Sequence, residues 1–67
     1  MDAAKRRGDA YRNLGRYNEA VADFTAVINA TPNDPEAYRR RGLAYRLAKN
    51  YGKAADDFRA VLRLEAR

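Results

Sequence analysis

Shifted by 34 residues the chain nearly overlays itself, and this self-similarity restricts the available folds more than any other feature. Ala3, Arg6, Arg7, Gly8, Ala10, Tyr11 and Arg12 recur as Ala37, Arg40, Arg41, Gly42, Ala44, Tyr45 and Arg46. Further along, Tyr17, Ala20, Asp23, Phe24, Ala26 and Val27 return as Tyr51, Ala54, Asp57, Phe58, Ala60 and Val61. No insertion is needed to hold the register. A period in the range of roughly 20 to 50 residues marks a solenoid, in which each unit buries its apolar face only against its neighbours. Function then falls to an exposed surface rather than to a catalytic pocket.

Within each unit the apolar residues run at helical spacing. Tyr17, Ala20, Val21, Phe24, Val27 and Ile28 form one stripe, and Tyr51, Ala54, Ala55, Phe58, Val61 and Leu62 form its copy. Gly8, Tyr11 and Leu14, and then Tyr38, Gly42, Tyr45 and Ala48, keep the same rhythm. The pattern predicts an all-α fold with helices over 2–14, 18–30, 36–48 and 52–65, paired as two antiparallel helix-turn-helix hairpins. Thr31-Pro32-Asn33-Asp34-Pro35-Glu36 cannot continue a helix. Asp34 can cap the next one, Pro35 suits its first turn and Glu36 its positive end. Asn18 is the expected cap of the second helix.

A glycine inside a helix costs about 1 kcal/mol relative to alanine, so Gly8 and Gly42 need a reason. In a hairpin turning near residue 16, Gly8 falls opposite Phe24 and Tyr11 opposite Ala20; Gly42 with Phe58 and Tyr45 with Ala54 repeat the pairing. Each small residue faces a large one, which lets the helix axes approach. These residues are read as packing.

Composition removes whole classes of chemistry. The 67 residues contain no cysteine, no histidine and no serine, so disulfides, thiolate metal sites and the usual hydrolytic nucleophiles are excluded. Asp56 and Asp57 diverge around their helix and Glu65 is distant, so no metal, no cofactor and no paired-carboxylate catalysis is expected. The expected protein is not an enzyme. No apolar run is long enough for a signal-peptide core or a membrane span, and a cytoplasmic protein is the default expectation.

In this pattern the chain resembles a pair of tetratricopeptide repeats, one over 1–34 and one over 35–67. The resemblance is carried by Gly8, Tyr11, Ala20, Phe24 and Pro32, then by Tyr38, Gly42, Tyr45, Ala54 and Phe58. Three departures stand out. Ala4 replaces the large residue that Tyr38 supplies in the second unit, Ala66 stands where a closing proline is expected, and Arg7 and Arg41 occupy a site more often aliphatic. The resemblance implies a right-handed stack of hairpins whose first helices line a concave groove for partner peptides. Carried over by position, that groove is lined by Asp2, Lys5, Asp9, Arg12 and Asn13, then by Glu36, Arg39, Leu43, Arg46 and Leu47. One subset of the family clamps a C-terminal carboxylate with lysine, asparagine and arginine. Lys5 matches its first residue, but the asparagines would fall at Asp9 and Arg40, so that clamp is not expected here.

The net charge of +5 favours anionic partners in a general way. Arg6-Arg7 and Arg39-Arg40-Arg41 are the densest basic runs, yet consecutive helical residues point about 100° apart and form no single patch. Nucleic-acid binding is therefore kept only as a weaker alternative, and the five tyrosines are read as core residues rather than stacking platforms. Arg7 with Asp23, repeated as Arg41 with Asp57, suggests a recurring ion pair, either within each hairpin or from Asp23 forward to Arg41.

Two units leave the outer face of the last helix without a following helix, and Ala55, Leu62 and Leu64 are expected to serve self-association there. A homo-oligomer, with a two-fold or swapped dimer ahead of open stacking, is the expected form. A designed or truncated repeat with no native ligand, made for folding or assembly studies, is the other reading of so short a chain that starts in phase with its repeat.

Overall fold

A computed structural model describes residues 3–66, and among them four helices follow in chain order. They are α1 (Ala3–Asn13), α2 (Tyr17–Ala30), α3 (Pro35–Leu47) and α4 (Tyr51–Glu65). The all-α reading holds, and each of these boundaries lies within one residue of the sequence expectation.

Both hairpins close by the same backbone device. Arg16 N–H donates to the Tyr11 carbonyl at 2.8 Å and Gly15 N–H to that of Arg12 at 3.0 Å. Asn50 and Lys49 repeat this to Tyr45 at 2.8 Å and Arg46 at 2.9 Å. Such a Schellman closure places one residue in the left-handed region. Here those residues are Gly15, with φ 80°, and Lys49, with φ 65°. Glycine adopts that conformation freely, whereas a side chain there costs on the order of 1 kcal/mol. Lys49→Gly is therefore expected to stabilise the fold by about 0.5–1 kcal/mol, seen as a higher urea midpoint, and Gly15→Lys to destabilise it comparably.

The closure also corrects the expected cap at Asn18. Because the turn feeds straight into the next helix, α2 begins one residue earlier, and Arg16 holds the cap position without a side-chain bond. Asn50 likewise caps α4 without its side chain. Between the hairpins the expectation is met. Asp34 accepts from the Glu36 N–H at 3.0 Å, Pro35 opens α3, and the Asp34 N–H closes the turn onto the Thr31 carbonyl at 3.2 Å.

Glycine at position 8 is a matter of space. A Cβ there would lie 2.5 Å from Cε1 of Phe24, whose residue is 0% exposed. At Gly42 the corresponding distance to Phe58 is 3.0 Å, and Phe58 is only half-buried. The tightest core lies between the hairpins: Ala20 and Phe24 of α2 meet Ala44 of α3, with Tyr11 and Val21 packed against them. Tyr51 departs from the core reading. It is 62% exposed, since its position in α4 has no α3-like helix over it.

The helices pack in chain order, α1 on α2, α2 on α3 and α3 on α4. In addition α1 touches α3, whereas α2 and α4 do not meet. First helices on one side and splayed second helices on the other give a slab of 34 × 28 × 14 Å, curved toward α1 and α3.

The repeated ion pair forms within each hairpin, one of the two arrangements left open. Arg7 donates to Asp23 through Nε at 2.9 Å and Nη2 at 2.8 Å. Arg41 does the same to Asp57 with equal distances. From this ion pair the reach to the other hairpin goes to Thr25 and not to Asp23, because the third guanidinium nitrogen of Arg41 donates to Thr25 Oγ1 at 3.1 Å.

Candidate functional site

The curvature makes the α1/α3 face the concave one, and most of the groove residues expected from sequence lie on these two helices. Asp2 lies outside the described residues. Facing charges on the remaining positions pair with one another. Lys5 reaches Asp34 at 2.7 Å, Arg12 reaches Asp9 at 3.0 Å, and Arg40 of α3 crosses to Asp9 of α1. From Arg40 the chain of contacts runs to Glu36 at 3.2 Å, on to Arg39 at 3.0 Å, and out to Glu65 of α4 at 2.5 Å.

These pairs have local causes. Asp9 with Arg12 and Glu36 with Arg39 stand three residues apart, and Glu36 with Arg40 four, so helical spacing alone brings them together. Lys5 and Arg39 occupy equivalent positions, and each bridges from a first helix to an acid at or just past the end of the following second helix. Burial opposes the charge on Arg40, but the hydrogen bond and charge of Asp9, with Glu36 added, more than offset it and raise its pKa. A hydrogen bond from Lys5, then the Glu36 N–H, holds the Asp34 carboxyl below its usual range despite partial burial.

That shift carries a pH signature. A carboxyl with a lower pKa in the folded state contributes stability that is complete above its unfolded value, about pH 4, and is lost as pH falls through the folded value. Wild type is therefore expected to lose melting temperature more steeply than Asp34→Asn through that acid window. Thermal melts of the two proteins by circular dichroism give the difference curve.

Among the expected groove cations only Arg46 makes no ion pair with a described residue. The groove therefore has two unlike ends. One is a closed polar end, where Lys5, Arg6, Asp9 and Arg40 line a hollow of about 210 Å³. The other, at the hairpin turns, carries half-buried Leu43, and Leu47 one helical turn on, with Asn13 and Arg46 exposed. Beside Leu47 opens a hollow of about 630 Å³ that also includes Tyr17, Ala48 and Lys49. The sequence reading had the groove positions but took its arginines as available. Arg12, Arg39 and Arg40 each meet an acid three or four residues away on their own helix, while the contacts of Arg39 with Glu65 and of Arg40 with Asp9 cross between helices and show only in the folded register.

The arginine runs behave as their helical phase requires. Arg39 turns to Glu36 and Glu65, Arg40 to Asp9 and Glu36, and Arg41 to Asp57 and Thr25. Of the residues expected to mediate self-association, Ala55 is half-buried and Leu62 is 68% exposed on the outer face of α4. Leu64 is set apart from them, half-buried in a hollow with Pro32, Tyr38 and Ala60.

A family model described as TPR repeat matches residues 8–49, and one described as tetratricopeptide repeat matches residues 35–66. The chain belongs to the tetratricopeptide-repeat family. Tetratricopeptide repeats are generally protein–protein interaction modules, typically non-catalytic. No curated protein matches the chain. Among the described residues, this repeat pair has no helix long and apolar enough to cross a membrane, and no group of three or more His, Cys, Asp or Glu side chains placed to hold a metal ion.

Proposed function

We propose that this tetratricopeptide-repeat chain is a binding scaffold whose two units, 1–34 and 35–67, act as one concave surface for a partner peptide. The observation that carries the reading is the division of the groove: its polar end is closed by internal ion pairs, while exposed Leu47 opens onto the large hollow at the turns, with half-buried Leu43 one helical turn before it. A peptide docks by seating an aliphatic side chain against Leu43 and Leu47, with an acidic neighbour facing Arg46 or Lys49. Lys5, Asp9 and Arg39 shape the other end, while Asn13, next to Arg12 at the last turn of α1, supplies a neutral polar contact beside the apolar pair.

A peptide array probed with the purified chain is expected to select segments with an aliphatic residue next to an acidic one. Leu47→Glu should then weaken the selected peptides by about tenfold or more while leaving helicity unchanged. Selected peptides that bind equally well to Leu47→Glu and Leu43→Glu would sink the groove reading.

A second reading, self-association through α4, is favoured by a separate observation. Phe58, Tyr51 and Leu62 are half-buried or exposed there, whereas Phe24 at the equivalent place in α2 is fully covered by α3. Nucleic-acid binding has less support, because Arg39, Arg40 and Arg41 are each held by acids of the chain itself.

A further inference from the structure

We propose that the outer face of α4 is covered by α4 of a second copy, the two helices running antiparallel about a two-fold axis, with Asp56 of each copy meeting Arg59 of the other. The inference deepens the self-association reading and rests on it.

The chain contains its own template for how a second helix is covered. In the α2/α3 contact, Val21, Phe24 and Thr25 lie under α3, and Arg41 donates to Thr25 at 3.1 Å. Moving 34 residues on, the α4 counterparts are Ala55, Phe58 and Arg59, so the hydroxyl acceptor is replaced by a guanidinium. On the α1 side, the counterpart of Arg41 is Arg7, whose side chain is 66% exposed. Head-to-tail stacking of two copies would repeat the template and press Arg7 against Arg59. Two like charges would meet where the internal contact has a hydrogen bond.

The antiparallel arrangement removes that conflict. Tyr51, Ala55, Phe58 and Leu62 follow one another at steps of four, three and four, forming a stripe turned away from the buried face of Ala54, Asp57, Ala60 and Val61. Arg59 borders one edge of this stripe and Asp56 stands further round the helix behind it, the two paired at 3.0 Å and both exposed. When two identical helices pack antiparallel about a two-fold axis, like edges meet with sequence order reversed, as an isologous contact requires. A centre between Asp57 and Phe58 sets Asp56 opposite Arg59 twice and brings Arg63 opposite Gly52, which offers no charge. The exposed pair within one helix thus becomes a reciprocal pair between two, and the apolar stripe is covered in the same step.

Sedimentation velocity over a concentration series tests this with the chain as it stands. Wild type is expected to form a dimer, Arg59→Asp to weaken it by about tenfold or more with unchanged helicity, and Asp56→Arg/Arg59→Asp to restore it. A dimer indifferent to Arg59→Asp would overturn the two-fold geometry while leaving self-association standing. Growth of Arg59→Asp into larger assemblies would overturn it in favour of head-to-tail stacking, because the introduced carboxylate would then meet Arg7. A wild type that stays monomeric throughout would defeat the self-association reading and this inference with it.

Discussion

Phe24→Ala is expected to leave most of the chain unfolded at ambient temperature, whereas Phe58→Ala should leave a cooperative, lower-melting fold. Phe24 is 0% exposed and fills the space against Gly8 at the meeting of Ala20 and Ala44. Truncating a buried phenylalanine costs about 3–5 kcal/mol, and a single core in a chain below roughly 70–80 residues rarely supplies more than about 3–5 kcal/mol. Phe58 occupies the same place in the second unit but is half-buried, so its truncation removes less covered surface and costs about 1–2 kcal/mol. Both substitutions change helix propensity alike, so the difference reports burial alone. Circular dichroism melts read it directly, and equal losses would mean that α4 is covered in solution as fully as α2.

Arg41→Met is expected to cost about 2–3 kcal/mol in urea unfolding, clearly more than Arg7→Met. Arg41 fills a site built on every side. Asp57 accepts two of its N–H groups, Thr25 a third, and the rings of Tyr38 and Tyr45 each lie 5.8 Å from the guanidinium carbon. The hydrogen bond to Asp57 accordingly raises its pKa despite burial. Removing it leaves a buried carboxylate with no counter-charge, a change that costs about 3–5 kcal/mol when complete and less here because the Arg41 side chain keeps 20% of its exposure. Arg7 is already open to water on the outer side of α1, so solvent takes its place more readily. Asp57→Asn in the Arg41→Met background should recover much of the loss, since a neutral amide is cheaper to bury than a charge. An additive double mutant would show that the carboxylate's charge does not set the cost.

The fold was legible because its rules are local. A glycine opposite a phenylalanine, an Asp-Pro-Glu helix start and a 34-residue period each act over one or two turns, and each reappears in the structure. Equivalence of position did not guarantee equivalence of surroundings. Tyr51 repeats Tyr17 in sequence yet lies exposed, and Lys49 repeats the glycine place of the turn while taking on its backbone strain. The groove was legible as positions and not as chemistry. Which acid meets Lys5, Arg39 or Arg40 across the fold depends on elements far apart in sequence, and so does the contact of Arg41 with Thr25.

The place of the tightest core has a consequence for how such chains lengthen or shorten. Sequence repeats as α1 with α2 and α3 with α4, but the fully covered phenylalanine belongs to the junction of α2 with α3. Because Phe24 also lies against Gly8 of its own hairpin, one side chain ties the packing within a repeat to the packing between repeats. A duplication of 34 residues adds one such junction whatever its starting phase, while a cut in the 31–34 turn removes the one junction this chain has and leaves two hairpins without a shared interior.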